Sequence, residues 1–248
     1  MEKSIFILDI GNSRAKLSSY KNSIWKYCLT IQRKDYSKLG NFIKEKVLEQ
    51  DFLIWTSVVE QGSEIIRKEK EITQVELNRS LIDLETISYA TPSTLGLDRY
   101  FACLGARVQS KTSSCIVIDA GTALTIDLMN KEDVYEGGVI SPGLQLWETG
   151  LKEHAPALPN VVREIPKNWP PKSTSDALKW GISGGFVVLI ESMIEKWNRD
   201  YPDTKLFSTG GDGEWVSQQI PNCTFDRFLV EKGCFEFWEN QKLNYSRK

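Results

Sequence analysis

The chain has 248 residues, enough for one large folded domain or two smaller ones. Apolar residues make up 41% and charged residues 26%, as in ordinary globular proteins, and the formal charge of −2 provides no basic surface for nucleic acid. The five cysteines form no C-x-x-C pair and His154 is the single histidine, which argues against a disulfide framework, a zinc site and a multi-histidine metal site.

The first residues lead directly into an apolar, strand-like run, without the basic and apolar segments of a secretory signal. The longest apolar stretch, residues 181–194, contains Glu191 and several small polar residues, so we expect it to be too short and too polar to span a membrane. These features predict a cytoplasmic protein that binds neither nucleic acid nor membranes.

The first half reads as three strands, a helix, a strand and a helix. Runs rich in Ile, Phe, Leu and Trp predict the strands, and apolar residues at helical spacing predict the helices. A further strand could lie within Leu81–Tyr89. The other predicted elements are strands at Ser4–Asp9, Ala15–Tyr20, Ile24–Thr30 and Phe52–Ser57, and helices at Tyr36–Gln50, Gly62–Lys70 and Leu97–Gln109.

The second half begins with the same order of elements. Five prolines between Ala155 and Lys172 predict a loop there, because proline lacks a backbone donor and fixes its own dihedral angle. The predicted elements are strands at Ser114–Asp119, Leu124–Met129, Val134–Val139, Lys205–Ser208 and Phe225–Val230, and helices at Leu144–Glu153, Thr174–Asn198, Glu214–Gln219 and Cys234–Gln241.

Each half contains an apolar strand that ends in an aspartate and a glycine turn. The first reads ILDIGNS at 7–13 and the second VIDAGTA at 117–123. Two similar hairpins could have arisen separately, but the recurring strand-strand-strand-helix order favours a duplicated α/β domain. We place the two domains at 1–110 and 111–248.

These turns have the chemistry of phosphate loops. Glycine lets a phosphate approach several backbone N–H groups, and neighbouring Ser, Thr or Asn side chains add donors. A carboxylate beside a phosphate repels it unless a cation lies between them, so Asp9 and Asp119 are candidate cation ligands. Mg²⁺ suits such a site, because it binds one or two carboxylates together with phosphate oxygens and waters. Arg14 and Lys16 are expected on one strand face, where either could reach phosphate or remain solvated.

A third glycine-rich turn, residues 207–213, follows a predicted strand and precedes a predicted helix. Its glycines leave room for a flat ring or a sugar against the backbone, although a tight strand-to-helix turn has the same composition. The sequence has neither the G-x-x-x-x-G-K-[ST] pattern nor G-x-G-x-x-G before a helix, so the P-loop and Rossmann modes of nucleotide binding do not apply.

The combination of two D-x-G hairpins and a Gly-Gly turn resembles the actin, sugar kinase and Hsp70 ATPase superfamily. The resemblance implies two duplicated ribonuclease H-like domains with an inter-domain nucleotide cleft. The motifs TPSTLGLDR at 91–99, VIDAGTALTID at 117–127 and GGVISPG at 137–143 narrow it further. In this order they are similar to those of type III pantothenate kinases, the family that includes the Bvg accessory factor-like proteins.

The family resemblance implies ATP-dependent phosphorylation of pantothenate to 4′-phosphopantothenate by a homodimer, with Mg²⁺ and with K⁺ or NH4⁺ as monovalent cation. Asp98 would be the general base, Asp119 would hold the monovalent cation, and Asp9 would act on Mg²⁺ through the phosphates. The ATP phosphates would bind at Asp9, Ile10, Gly11, Asn12, Ser13, Arg14, Ala15, Lys16 and Thr122. Pantothenate would bind at Tyr89, Gly96, Leu97, Asp98, Arg99 and Thr174, with Thr174 reaching across the dimer interface.

Three alternatives remain open from the sequence. The chain could be a kinase of the same superfamily for a sugar or another acid, or a non-catalytic nucleotide-binding regulator. Asp98 could be an ordinary first-turn helix residue. Arg99 could form a surface ion pair rather than bind a substrate carboxylate.

Overall fold

The computed structural model describes residues 3–111 and 113–245, with side chains up to Lys242. The chain divides into two compact units. The first contains residues 1–111, 133–135 and 228–248, and the second contains residues 112–132 and 136–227. Each unit has a sheet of five strands.

The sheet of the first unit has the strand order β3-β2-β1-β4-β5. Strands β1, β2 and β3 are antiparallel neighbours, whereas β4 and β5 run parallel to β1. The fully buried centre of β1 explains its continuous apolar run, which is typical of a strand covered on both faces. The strands are β1 (Ile5–Ile10), β2 (Arg14–Lys21), β3 (Ile24–Gln32), β4 (Phe52–Ser57) and β5 (Gln74–Glu76).

Helices cover both faces of this sheet. Leu8 and Ile10 belong to an apolar cluster with residues of α1 and α2, and α3 and α8 pack against the other face. A 3₁₀ segment, Arg33–Lys38, connects β3 to α1. The helices are α1 (Leu39–Lys46), α2 (Glu60–Arg67), α3 (Leu97–Ser110) and α8 (Leu229–Tyr245).

The sheet of the second unit has the order β10-β9-β6-β7-β8. Again a hairpin, β6-β7, lies at the centre, and β9 runs parallel to β6. The strands are β6 (Cys115–Ala120), β7 (Ala123–Met129), β8 (Tyr135–Pro142), β9 (Lys205–Thr209) and β10 (Cys223–Phe225).

The core of the second unit joins apolar side chains of β6 and β7 to those of three helices, with Leu144, Phe186 and Val216 as examples. One π-helical turn, Trp180–Gly184, connects α5 to α6. The helices are α4 (Leu144–His154), α5 (Thr174–Lys179), α6 (Gly185–Asp200) and α7 (Gly213–Gln219).

Most predicted elements are present with shifted ends, and two predictions are wrong. Residues 81–89 contain short 3₁₀ turns, and the fifth strand of the first sheet is Gln74–Glu76 instead. The strand predicted at Phe225–Val230 ends at Phe225, because Leu229 already begins α8. A short apolar run is compatible with either a strand or a helix. The run from Leu229 is helical because it packs against α3 as part of α8.

The compact units also differ from the predicted domains at the C-terminus. The predicted boundary put all residues after 110 into the second domain. In the structure, α8 packs against α3, β1 and β4 of the first unit. The local sequence composition does not predict this return of the chain to the first unit.

The helical stretch Thr174–Asp200 extends on both sides of the apolar residues 181–194 and reaches 27 residues. Among the residues that the structure describes, it is the one segment long and apolar enough to cross a membrane by length and composition. Phe186, Ile190 and Ile194 from this stretch lie in the apolar core of the second unit. A core helix of a folded domain therefore accounts for the same features.

Helices α3 and α8 approach each other at two glycines. A Cβ added at Gly105 would overlap the Leu229 carbonyl, and one added at Gly233 would overlap the Phe101 carbonyl. Both neighbours are backbone atoms, which cannot rotate away as a side chain could. The close contact of the two helices therefore requires glycine at both positions.

We expect Gly233→Ala to lower the free energy of unfolding by about 1–3 kcal/mol, the usual cost of overpacking a core, because the helices must separate. Chemical denaturation of the full chain measures this change. Gly150→Ala is the matched control, since Gly150 lies in α4 with no atom near its added Cβ. Equal stability of the two variants would contradict the proposed role of the glycine contact.

Candidate active site

Asp9 lies at the centre of the first sheet, at the end of β1, and is 7% exposed. Its neighbours in the strand register are Lys16 on β2 and Thr56 on β4. Thr56 is fully buried, and its hydroxyl has no hydrogen-bond partner in the described part of the chain. The carboxylate is therefore flanked by a cationic side chain and a hydroxyl.

The turn after Asp9 is closed by its own backbone and by Tyr36. The Gly11 N–H donates to the Arg14 carbonyl at 3.0 Å, which closes the hairpin. The Tyr36 hydroxyl donates to the Gly11 carbonyl at 2.6 Å. Burial raises the pKa of Tyr36 to about 12, and the charge of Asp9 acts in the same direction while that of Arg33 opposes it. The hydroxyl therefore keeps its proton and remains a donor at neutral pH.

Arg33 binds the next two carbonyls of this turn. Its Nη1 donates to the Asn12 carbonyl at 3.2 Å, and its backbone N–H donates to the Ser13 carbonyl at 3.0 Å. The N–H groups of Asn12 and Ser13 themselves have no acceptor within the residues that the structure describes. Asn12 is exposed and Ser13 half-buried, so both N–H groups remain available to an anion.

The other residues of the first predicted loop take two orientations. Arg14 and Lys16 are half-buried and alternate with buried residues, which confirms that they share a strand face. Ile10 and Ala15 are opposite each other in the hairpin and are fully buried. These two could meet a ligand only through their backbone.

The turn of the second hairpin has its carbonyls bound in a similar way. The Gly121 N–H donates to the Ala123 carbonyl, and the Gly143 N–H donates to the Thr122 carbonyl, each at 3.0 Å. The Ala120 carbonyl accepts from the Asp212 N–H at 2.9 Å. Thr122 is exposed at the tip of this turn. This arrangement turns carbonyls inward and leaves the Thr122 side chain accessible.

The third glycine turn lies directly on the second hairpin. Gly210 has a φ of +88°, and a Cβ there would overlap the Asp119 carboxylate and stand 2.6 Å from the Ala120 carbonyl oxygen. The Ser208 hydroxyl donates to the Gly213 carbonyl at 2.8 Å and holds the turn from the other side. The Asp119 carboxylate is thus in contact with the turn that the sequence associated with nucleotide.

The segment before α3 is fixed by a distant arginine. The Arg79 guanidinium donates to the carbonyls of Pro92 and Leu95. Leu95, Gly96 and Leu97 line one side of a cavity of about 390 Å³ in the first unit. The cavity is bounded opposite by residues at the end of β4 and the start of α2.

Asp98 is the second residue of α3 and is half-buried. One carboxylate oxygen accepts from the Arg99 N–H at 2.9 Å and lies close to Gly96, where an added Cβ would be 2.5 Å away. This geometry is that of a first-turn carboxylate, and the two residues before Asp98 line the 390 Å³ cavity.

Arg99 and Tyr89 both contact the ring of Tyr135. The Arg99 guanidinium lies 5.9 Å from the Tyr135 ring, and the Tyr89 ring stands edge-on to the same ring at 6.1 Å. Arg99 is 8% exposed, so a plain surface ion pair does not describe it. Two of the predicted substrate residues, Arg99 and Tyr89, therefore share Tyr135 as an aromatic neighbour.

Three carboxylates of the first unit lie near the Cys234 thiol on α8. Burial raises the pKa of the Cys234 thiol well above its ordinary value, and the charges of Asp9, Glu231 and Asp98 raise it further. Glu231 is 2% exposed and accepts a hydrogen bond from the Ser18 hydroxyl at 3.1 Å. The structure thus places the two predicted acidic residues of the first unit near the same thiol.

Thr174 belongs to the second unit, where it is exposed at the start of α5. The preceding Ser173 caps this helix, since its hydroxyl accepts from the Asp176 N–H at 3.1 Å. The side chain of Thr174 is not needed for the cap, and no hydrogen-bond partner for it lies among the described residues. Its contact with substrate stays a prediction.

No cluster of three or more His, Cys, Asp or Glu side chains that could hold a metal ion occurs within residues 3–111 and 113–245. Mg²⁺ commonly binds through one or two carboxylates, with phosphate oxygens and waters completing its shell. The single carboxylates Asp9 and Asp119, each beside a turn with inward carbonyls, fit a cation of this kind. They do not fit a metal bound by protein alone.

Sequence reasoning missed Tyr36, Arg33, Arg79 and Glu231. The Tyr36 hydroxyl reaches a carbonyl 25 positions earlier, and Glu231 bonds a hydroxyl 213 positions away. Tyr36 stood at the predicted start of a helix, where an aromatic residue indicates only a core position. Glu231 fell between a predicted strand and a predicted helix, and its burial is visible only in the structure.

Two solved structures resemble this chain over nearly its whole length. A conserved protein of Campylobacter jejuni described as a Baf family transcriptional activator has a TM-score of 0.69 at 24% identity, covering 96% of this chain and 98% of its own. MreB5 of Spiroplasma citri, solved with ADP, has a TM-score of 0.55 at 10% identity, covering 99% of both chains. The predicted fold class is therefore confirmed as that of the actin-like ATPases.

Sequence comparison is more specific. A type III pantothenate kinase of Flavobacterium johnsoniae is 32% identical over 231 residues, which cover 92% of this chain and 94% of the relative. One from Phocaeicola vulgatus is 30% identical over 247 residues, 98% of both chains. The family profile for type III pantothenate kinase matches residues 5–196, which include both glycine hairpins and the TPSTLGLDR segment. The chain belongs to the type III pantothenate kinase family.

Proposed function

We propose that this protein transfers the γ-phosphoryl group of ATP to the hydroxyl group of pantothenate, forming 4′-phosphopantothenate in the first step of coenzyme A biosynthesis. The observation that carries the proposal is the family match over residues 5–196. The two glycine hairpins and the acceptor segment within that range have the chemistry that phosphoryl transfer needs: positioning, charge neutralisation and a proton acceptor.

The ATP phosphates bind to the first hairpin, residues 9–16, and to Thr122 of the second. Asn12 and Ser13 contribute backbone N–H groups, and Lys16 contributes a positive charge. The exposed tip of the first turn and its N–H groups without intramolecular acceptors support this assignment. Repulsion between Asp9 and phosphate is relieved by Mg²⁺ carried on the nucleotide.

The monovalent cation, K⁺ or NH4⁺, is held by Asp119. Such a cation supplies positive charge beside the phosphates when bound. The position of the carboxylate against the Gly210 turn supports a site of this kind, because the Ala120 carbonyl oxygen lies against the same glycine.

Asp98 accepts the proton of the pantothenate hydroxyl. The pantothenate oxygen attacks the γ-phosphorus of ATP, and the bond from this phosphorus to the ADP oxygen breaks. Arg99 pairs with the pantothenate carboxylate, while Tyr89, Gly96 and Leu97 shape the pocket. The near-complete burial of Arg99 beside Tyr135 supports a role in binding an anion away from water.

The protein acts in the cytoplasm as a homodimer, and Thr174 of the partner subunit completes each pantothenate site. The exposure of this threonine at a capped helix start is compatible with a contact made outside its own chain.

We expect the purified protein to form ADP and 4′-phosphopantothenate from ATP and pantothenate with Mg²⁺ and K⁺. A coupled assay for ADP, with mass spectrometry of the product, measures this reaction. A panel of sugars and other hydroxy acids serves as the control. ADP formation with a sugar but not with pantothenate would identify a different kinase, and no turnover with any acceptor would favour a non-catalytic regulator.

We expect Asp98→Asn to lower kcat by about 10²–10⁴-fold, the range for loss of a general base, while the protein stays folded. Asp83→Asn is the matched control, because the Asp83 carboxylate also accepts a backbone N–H at the start of a helical turn but is exposed. A wild-type rate in Asp98→Asn would leave Asp98 as a first-turn residue only.

We expect the rate to depend on K⁺ or NH4⁺ and to fall when Na⁺ replaces them, since Na⁺ is smaller and holds its hydration shell more strongly. Titration of each chloride salt at constant ionic strength measures the activation. Asp119→Asn should raise the K⁺ concentration needed for half-activation. Equal rates in Na⁺ and K⁺ would remove the assigned role of Asp119.

A further inference from the structure

We propose that Tyr36 is a positioning residue for ATP: its hydroxyl holds the Gly11 carbonyl inward and thereby directs the N–H groups of the first hairpin turn at the phosphates. This inference rests on the proposed binding of ATP phosphates to residues 9–16. It concerns a residue outside that loop, in the 3₁₀ segment Arg33–Lys38.

Tyr36 is held rigidly enough to serve this purpose. Its side chain is fully buried and belongs to the apolar cluster that includes Ile10, Leu39 and Ile43. The ring is therefore fixed by packing, and only its hydroxyl reaches the turn, at 2.6 Å from the Gly11 carbonyl oxygen. A short hydrogen bond from an immobile ring restrains the peptide that accepts it.

The geometry of a trans peptide carries this restraint to the donor side. The C=O of one residue and the N–H of the next lie in one plane and point in opposite directions. When Tyr36 holds the Gly11 carbonyl inward, the Asn12 N–H must point outward. In the next peptide, Arg33 binds the Asn12 carbonyl, and the Ser13 N–H therefore points in the opposite direction.

The hydrogen bonds of the turn are consistent with this geometry. The Asn12 and Ser13 N–H groups have no acceptor among the described residues, although the carbonyls of Gly11, Asn12 and Ser13 are all occupied. A turn whose three carbonyls are bound by other residues of its unit, while the adjacent N–H groups are unbound, is prepared for an anion before the anion arrives. Pre-organisation of this kind increases affinity, because binding need not order the loop.

Tyr36 is a cleaner test of this idea than Arg33. The guanidinium of Arg33 would attract phosphate by charge alone, so its loss mixes attraction with positioning. Tyr36→Phe removes one uncharged hydroxyl from a buried ring and changes no charge at neutral pH, since the Tyr36 hydroxyl is protonated there.

We expect Tyr36→Phe to weaken Mg·ATP binding by about threefold to tenfold, the effect of one lost hydrogen bond. Calorimetric titration with Mg·ATP measures Kd, and steady-state kinetics should show a higher KM for ATP with an unchanged KM for pantothenate. A merely structural role would lower stability without changing Kd for Mg·ATP, or would affect both substrates alike. Unchanged Kd for Mg·ATP in the folded variant would overturn the inference.

Tyr100→Phe is the matched control. Tyr100 is also buried in the first unit, and its hydroxyl pairs with the Thr86 hydroxyl at 3.2 Å rather than with the turn. We expect a comparable loss of thermal stability without a change in Kd for Mg·ATP. Equal weakening of Mg·ATP binding in both variants would assign the effect to general loosening of the unit and overturn the inference.

Arg33→Gln provides a second test should Tyr36→Phe fail to fold, because Arg33 is exposed and its replacement spares the core. Weakened Mg·ATP binding that persists in 0.5 M salt, about a 4 Å screening length, supports positioning of the turn. Weakening that disappears at this salt concentration reflects charge alone and counts against it.

These binding measurements separate the inference from the proposed function. A wild-type protein that binds Mg·ATP but does not phosphorylate pantothenate would refute the function, while the comparison of Tyr36→Phe with Tyr100→Phe would still decide the role of Tyr36. A wild-type protein that binds no Mg·ATP would refute both.

Discussion

The pairing of backbone carbonyls at two hairpin turns is the constraint on which the rest of the structure depends. Each turn recruits donors for its carbonyls from elsewhere in its unit, because a carbonyl that is shielded from water and has no donor is costly. Tyr36 and Arg33 supply them for the first turn, and Gly143 and Asp212 supply backbone N–H groups for the second. Because peptides are planar, satisfying the inward carbonyls orients the remaining N–H groups outward.

Glycine makes the required approaches possible in both units. Gly210 adopts a positive φ and lies against Asp119 and Ala120, where any side chain would collide with the second hairpin. Gly105 and Gly233 let α3 and α8 touch through their backbones. Two of these close approaches therefore need glycine inside a helix, where glycine is about 1 kcal/mol less favourable than alanine.

The C-terminal helix gives the first unit its acidic interior. By packing on β1 and α3, α8 places Glu231 beside Ser18 and brings the Cys234 thiol near the charges of Asp9 and Asp98, which raise its pKa. Removing carboxylates from water is expensive unless hydrogen bonds or cations compensate for it. The hydrogen bond from Ser18 is one such compensation, and the neighbouring Lys16 in the register of β1 and β2 is a charge of the opposite sign.

The sequence by itself determined the α/β class, the two repeated hairpins, the family and the candidate loops, because strand periodicity, turn glycines and motif order are local properties of the chain. It misjudged residues 81–89 and 225–230, where short apolar runs fit more than one element. Only the tertiary structure decided that α8 returns to the first unit and that Tyr36 binds Gly11. Both depend on contacts between residues far apart in sequence, which are selected by packing and by the need to pair buried polar groups.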